Sequence, residues 1–268
     1  MLKLFILVGL AILIWLLYQL YRRLKADKLF NTPLRSDWID ILDKNVGLYG
    51  MLPSDLQIEL HGHVQLFLDE KEFFGNDIQI NDEIKLTIAG NACMLLLQGD
   101  NRSFDNFTSI IVYPNTYMSQ QIEHDGMIEH HETSTRAGES WVRGPIVLSW
   151  KDVLQGSSHP RNGHNVVLHE FAHKLDEQNN AMDGLPVLNE NSDYAKWCSV
   201  FTEEFEDLKK RAKNKNNKVL DEYGTVSPPE FFAVATESFF EKPRRMRSTL
   251  PQLYAQLKKF YCLDPAKW

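Results

Sequence analysis

Cysteine is scarce in this chain of 268 residues: Cys93, Cys198 and Cys262 stand far apart and are odd in number. That excludes a disulfide framework and a Cys-x-x-Cys metal site, and it fits a reducing compartment. Basic charge is in deficit as well, with 29 Lys and Arg against 36 Asp and Glu and a formal net charge of −7. A general nucleic-acid surface is therefore not expected, and the basic run from Lys209 to Lys215 reads as the solvated end of a helix. Internal repeats are missing, and no Ala-x-Ala cleavage site follows the one long apolar run.

That run, Leu4 to Tyr21, is interrupted in polarity only by Gln19. At 1.5 Å per residue it spans about 27 Å, against a hydrocarbon core of about 30 Å, so it is long enough to cross a membrane. It is also long for a cleaved secretory signal. Arg22, Arg23, Lys25 and Lys28 follow it, whereas Lys3 alone precedes it. This asymmetry predicts a single-pass anchor, residues 1–28, with residues 29–268 on the cytoplasmic side. The remainder is large enough for a real core.

The most informative stretch is His169-Glu170-Phe171-Ala172-His173, because a helix places its two imidazoles one turn apart on one side with a carboxylate beside them. Neutral imidazole suits zinc, and a site with three protein ligands leaves a position for water whose pKa the metal lowers to about 7. Glu170 is then placed to take the proton. Lys174 goes against this pattern by setting a charge directly after the second histidine. Two residues compete as third ligand. Asp176 stays near the same helix face, where it could ligate or orient a histidine. Glu230 lies in Ser227-Pro228-Pro229-Glu230-Phe231-Phe232-Ala233, which reads as the start of a second buried helix. There, however, Ser-x-x-Glu is also a capping box. Spacing alone leaves the two candidates even.

The combination of His169-Glu170-Phe171-Ala172-His173-Lys174-Leu175-Asp176 with Tyr223-Gly224, Pro229-Glu230-Phe231-Phe232-Ala233 and Glu237-Ser238-Phe239-Phe240 resembles the Mlc titration factor A family of zinc metallopeptidases. The Tyr-Gly pair seven residues ahead of Glu230 is also similar to a short feature of the catalytic domain of anthrax lethal factor. The resemblance implies His169, His173 and Glu230 as ligands of one zinc ion per chain, Glu170 as general base and Tyr223 as an electrophilic helper. Asp176 then becomes an outer partner of the ligands, and Glu237 either steadies a histidine or finishes a helix face. It further implies a peptide or protein substrate with an aminopeptidase preference, and a transcriptional regulator as partner, since the family's name comes from sequestering a sugar-responsive repressor.

The expected architecture is α+β and zincin-like: a small mixed sheet, an active-site helix and a mostly helical C-terminal part. Helices are expected over 38–48, 54–70, 82–98, 193–213 (capped by Asp193), 230–241 and 251–261, and strands over 77–80 and 109–113. The stretch Gly144 to Trp150 reads as a strand bordering the cleft and able to pair with an extended peptide. The polar stretch 119–140, with His124, His130 and His131, reads as an exposed hairpin or loop. His61 and His63 do not share a helix face.

Overall fold

The apolar run folds as part of one continuous helix, α1 (Leu2–Phe30). Its large side chains from Leu4 to Tyr21 are about half exposed or more, with no share of the apolar window buried inside the protein. The helix carries an apolar window long and apolar enough to cross a membrane. Its last turns lie antiparallel on α3 (Ser54–Glu70). Lys25 pairs with Asp69 at 2.6 Å, Gln65 Nε2 donates to the Leu29 carbonyl at 3.0 Å, and the Phe30 ring stands edge-on to His63. Gly62 permits this approach, since a Cβ there would meet the Phe30 ring and carbonyl at 2.7 Å. The computed structural model describes residues 1–99, 104–115, 117–125, 128–136, 138–140, 144–188, 190, 193–213 and 219–268, excepting the side chains of residue 2 and of 117–140.

Strands β1 (Glu72–Gly75), β2 (Ser109–Tyr113) and β6 (Ile146–Ser149) pair in parallel, and β5 (Gly138–Ser140) adds antiparallel to β6, giving the order β1-β2-β6-β5. Between them β3 (Tyr117–Asp125) and β4 (Ile128–Arg136) form a separate antiparallel hairpin. The hairpin expected over 119–140 is thus present in the backbone, while the side chains of His124, His130 and His131 lie outside the described residues. Ile110, Val112, Ile146 and Leu148 are fully buried against the helices. Those helices are α2 (Ser36–Asn45), α4 (Asp82–Cys93), α5 (Trp150–Ser158), α6 (Val166–Asp176), α7 (Tyr194–Lys213), α8 (Pro228–Glu241), α9 (Pro243–Thr249) and α10 (Pro251–Tyr261).

Several expectations are corrected. The first strand is Glu72–Gly75, not 77–80, because Asp77 adopts a left-handed backbone (φ 58°) and the chain folds back so closely that a Cβ on Gly75 would strike the Ile78 carbonyl. Helix α2 ends at Asn45, and α4 gives way to a 3-10 turn at Met94–Leu96 before Gln98 (φ 57°). Only Ile146–Ser149 of the expected strand over 144–150 is extended. It lies inside the sheet with a partner on each side, so β5 and not β6 is the outer strand. Ser149 accepts the Asp152 amide and starts α5 directly at Trp150. Asp193 stands immediately before α7, the position expected of its cap, and its carboxylate also pairs with Lys259 of α10 at 2.6 Å. Residues 209–213 of the basic run are a solvated helix end, with Lys209 and Lys210 bound to Glu206 and Asp207 one turn back, and 214 and 215 lie outside the described residues.

Lys174 points away from the histidines. Its side chain is fully buried, and its Nζ donates to Glu177 at 2.8 Å and to the Gly144 carbonyl at 3.3 Å, near the Phe107 ring. Removing one partner of a buried pair leaves the other charge uncompensated, so Lys174→Met should cost about 3–5 kcal/mol. Lys174→Met with Glu177→Met should recover most of that loss, measured by urea unfolding of the detergent-solubilised protein.

Candidate metal centre

Helix α6 is started by Asn165, whose side-chain oxygen accepts from the Val167 and Leu168 amides, both at 3.2 Å. Leu168, Phe171 and Ala172 are fully buried, and Phe171 packs among Phe67, Phe104 and Phe107 with ring centroids 5.0–5.6 Å away. This apolar side fixes the rotation of the helix and turns His169 and His173 towards α8. Helix α8 is buried from Phe231 through Glu241. Only half of a capping box forms at its start: Ser227 Oγ accepts the Glu230 amide at 3.4 Å, while the Glu230 carboxylate is directed across to the histidines.

Glu230 Oε2 lies 2.9 Å from His169 Nε2 and 3.5 Å from His173 Nε2. The three donor atoms all fall within 4.8 Å of one another. Tetrahedral bonds of about 2.0–2.1 Å place two ligand atoms about 3.3 Å apart, so a pair of imidazole nitrogens and a carboxylate oxygen at these separations suits a zinc-sized ion. Burial alone would raise the Glu230 carboxyl, but the hydrogen bonds and charges of both histidines hold it well below the usual carboxylate range. Glu170, 5% exposed on α6 between the histidines, is pushed the other way: burial raises its pKa and the histidines offset this only in part.

Glu237 fixes the first imidazole. One of its oxygens accepts His169 Nδ1–H at 2.7 Å and the other accepts the Asn165 amide at 2.6 Å, so a single carboxylate ties the helix start to the ring. Glutamine has only one acceptor oxygen for these two donors. Glu237→Gln should therefore weaken metal binding by roughly 10- to 100-fold, as loss of an orienting partner typically does, read by competition with a chromogenic chelator. Asp176 is occupied elsewhere, its Oδ2 accepting the Gly184 amide at 2.8 Å and so holding the loop after α6. Its Oδ1 and His173 Nδ1, one turn apart, are both buried without a hydrogen-bond partner among the described residues. Tyr223 sits in a 3-10 turn begun by Asp221, which accepts its amide at 2.7 Å. Its ring is half exposed and 5.8 Å from the His169 ring. The structure therefore gathers His169, Glu170, His173, Tyr223, Glu230 and Glu237 in one place, with Asp176 bound to the neighbouring loop.

Residues 19–262 match the family model described as glucose-regulated metallo-peptidase M90. The chain belongs to this family. An uncharacterized protein of Synechocystis sp. is 39% identical to it over 263 residues, 97% of this chain and 95% of the relative. Mlc titration factor A of Escherichia coli is 28% identical over 226 residues, 82% and 84% of the two chains, and that of Salmonella arizonae 27% over 237 residues, 87% and 93%. Within this M90 chain, Glu241 was not apparent from the sequence. It is 2% exposed, and its Oε2 accepts the Gly163 and His164 amides at 2.7 and 3.1 Å, one turn beyond Glu237. Burial pushes it up to about 8. The available signal was a further glutamate four residues after Glu237 on a mostly apolar helix.

Proposed function

We propose that this M90 metallopeptidase is a zinc enzyme that hydrolyses peptide bonds, held by α1 in the cytoplasmic membrane with its catalytic part in the cytoplasm. The observation that carries the reading is the approach of Glu230 on α8 to His169 and His173 on α6, with Glu170 buried beside them. His169 Nε2, His173 Nε2 and a Glu230 oxygen would hold the ion. Zinc, when bound, polarises a carbonyl and lowers the pKa of water to about 7. Glu170 accepts the proton of the attacking water and returns it to the leaving amine, a role served by a carboxyl raised towards neutral pH. Tyr223, exposed enough to reach substrate, donates a hydrogen bond to the oxyanion. Among the described residues the outer strand β5, which packs near α6, has a strand partner on one side only, so an extended peptide can add to it. An amino-terminal exopeptidase mode is part of this reading. The cations after the apolar run supply the orientation.

The test is metal analysis paired with hydrolysis. Purified full-length protein should carry one zinc per chain, a strong chelator should abolish cleavage of a peptide pool, and added zinc should restore it. Cleavage that persists in metal-free protein would defeat the reading. The name of the Mlc titration factor A relatives favours a second role, binding of a transcriptional regulator. That role does not need Glu170, so it should survive Glu170→Gln.

A further inference from the structure

The passage from the apolar run to the folded domain contains no hinge. Helix α1 continues from Tyr21, the last apolar residue of the run, to Phe30. Lys25, only about 6 Å further along the helix axis than Tyr21, is already paired with Asp69. Because α1 and α3 are antiparallel, the C-terminal end of α3 points back towards the apolar run. The contacts then continue inwards. Lys71, directly after α3, donates to the carbonyls of Phe104 and Phe107 and lies over the Phe107 ring at 4.7 Å. Asn106 Nδ2 donates at 2.8 Å to the carbonyl of Lys174, the residue after His173. Every link in this path is buried or paired, and it ends on the helix that carries both histidines.

We propose that α1 is a docked strut and that the substrates of this site are membrane-tethered polypeptides, cut at a short and fixed distance from the bilayer surface. This rests on the peptidase and membrane-anchor readings above. A flexible tether would sample many distances; a docked helix selects one. Gly62 is the contact on which docking depends, because any side chain there strikes Phe30.

Docking is read first. In full-length protein reconstituted in phosphatidylcholine vesicles, a zero-length carbodiimide should couple Lys25 to Asp69 through an amide, detected by peptide mass spectrometry. Gly62→Val should abolish that coupling. Substrate choice is read second, with random-sequence peptides that have free amino termini and are joined at their C-termini to a phospholipid through polyethylene glycol spacers of graded length. Cleavage by the zinc-loaded wild type should peak at one spacer length and fall about tenfold on either side, since a rigid geometry forbids simultaneous engagement at the wrong span. A short Gly-Ser linker inserted between Arg23 and Leu24 should flatten this profile and leave hydrolysis of the lipid-free peptides unchanged. A flat profile in the wild type, a sharp one after the insertion, or no Lys25–Asp69 coupling would overturn the proposal while leaving the peptidase reading intact if free peptides are cut. If no peptide is cut in any form, the peptidase reading fails and takes the substrate claim with it.

Discussion

Glu170→Gln should retain one zinc per chain and lose peptide hydrolysis by at least the 10²- to 10⁴-fold that a positioned acid-base group contributes. The side chain sits between the two histidines in sequence but not among the clustered donor atoms, so the amide leaves the metal set untouched. It cannot accept the water's proton. Burial also matters, because a carboxyl raised above its ordinary value is a stronger base near neutral pH than a solvent-exposed one. The group accepts a proton only in its charged form, so the rate should fall on the acidic side and that limb should vanish with the substitution. Stopped assays across pH with parallel metal analysis decide this. A Glu170→Gln protein that stays fully active would remove the proposed mechanism.

Glu230→Gln should lose most zinc affinity while the protein stays folded. Its backbone amide is capped by Ser227, an interaction that glutamine keeps, so the start of α8 should persist. Its carboxylate supplies the negative oxygen that lies 2.9 and 3.5 Å from the two imidazoles, and a neutral amide is a much poorer ligand. Equilibrium dialysis against buffered zinc, with circular dichroism as the control for folding, measures both halves. Unchanged stoichiometry in Glu230→Gln together with collapse in Asp176→Asn would require exchanging the two assignments.

Much of this arrangement was legible locally. Helix α3 runs over Ser54–Glu70 as its periodicity indicates, and α6 and α8 carry their start signals, Asn165 and Ser227-Pro228-Pro229, in the sequence itself. The choice between Asp176 and Glu230 was not legible from spacing. Glu230 reaches the histidines only because α8 packs against α6, a non-local fact, and Asp176 is drawn off by Gly184 in the following loop. Lys174 looked out of place for the same reason. Its partners, Glu177 and the Gly144 carbonyl, are brought together by the fold, and only then does a buried cation make sense. The strand at Glu72–Gly75 is not distinguished locally, because short apolar runs on either side of Gly75 look alike, and pairing with Ser109–Val112 decides between them. Helix α5 was hidden behind the apolar strand that runs straight into it.

The two carboxylates that fasten residues 163–165 to α8 lie outside the three donor atoms that could hold an ion. Glu241 holds Gly163 and His164, and Glu237 holds Asn165 and the first imidazole, so the segment that starts α6 is sewn to the helix that carries Glu230. The two halves of the site share a seam. A change at either glutamate therefore reaches the histidines by shifting α6 against α8, and the ligand set loosens without any ligand being replaced.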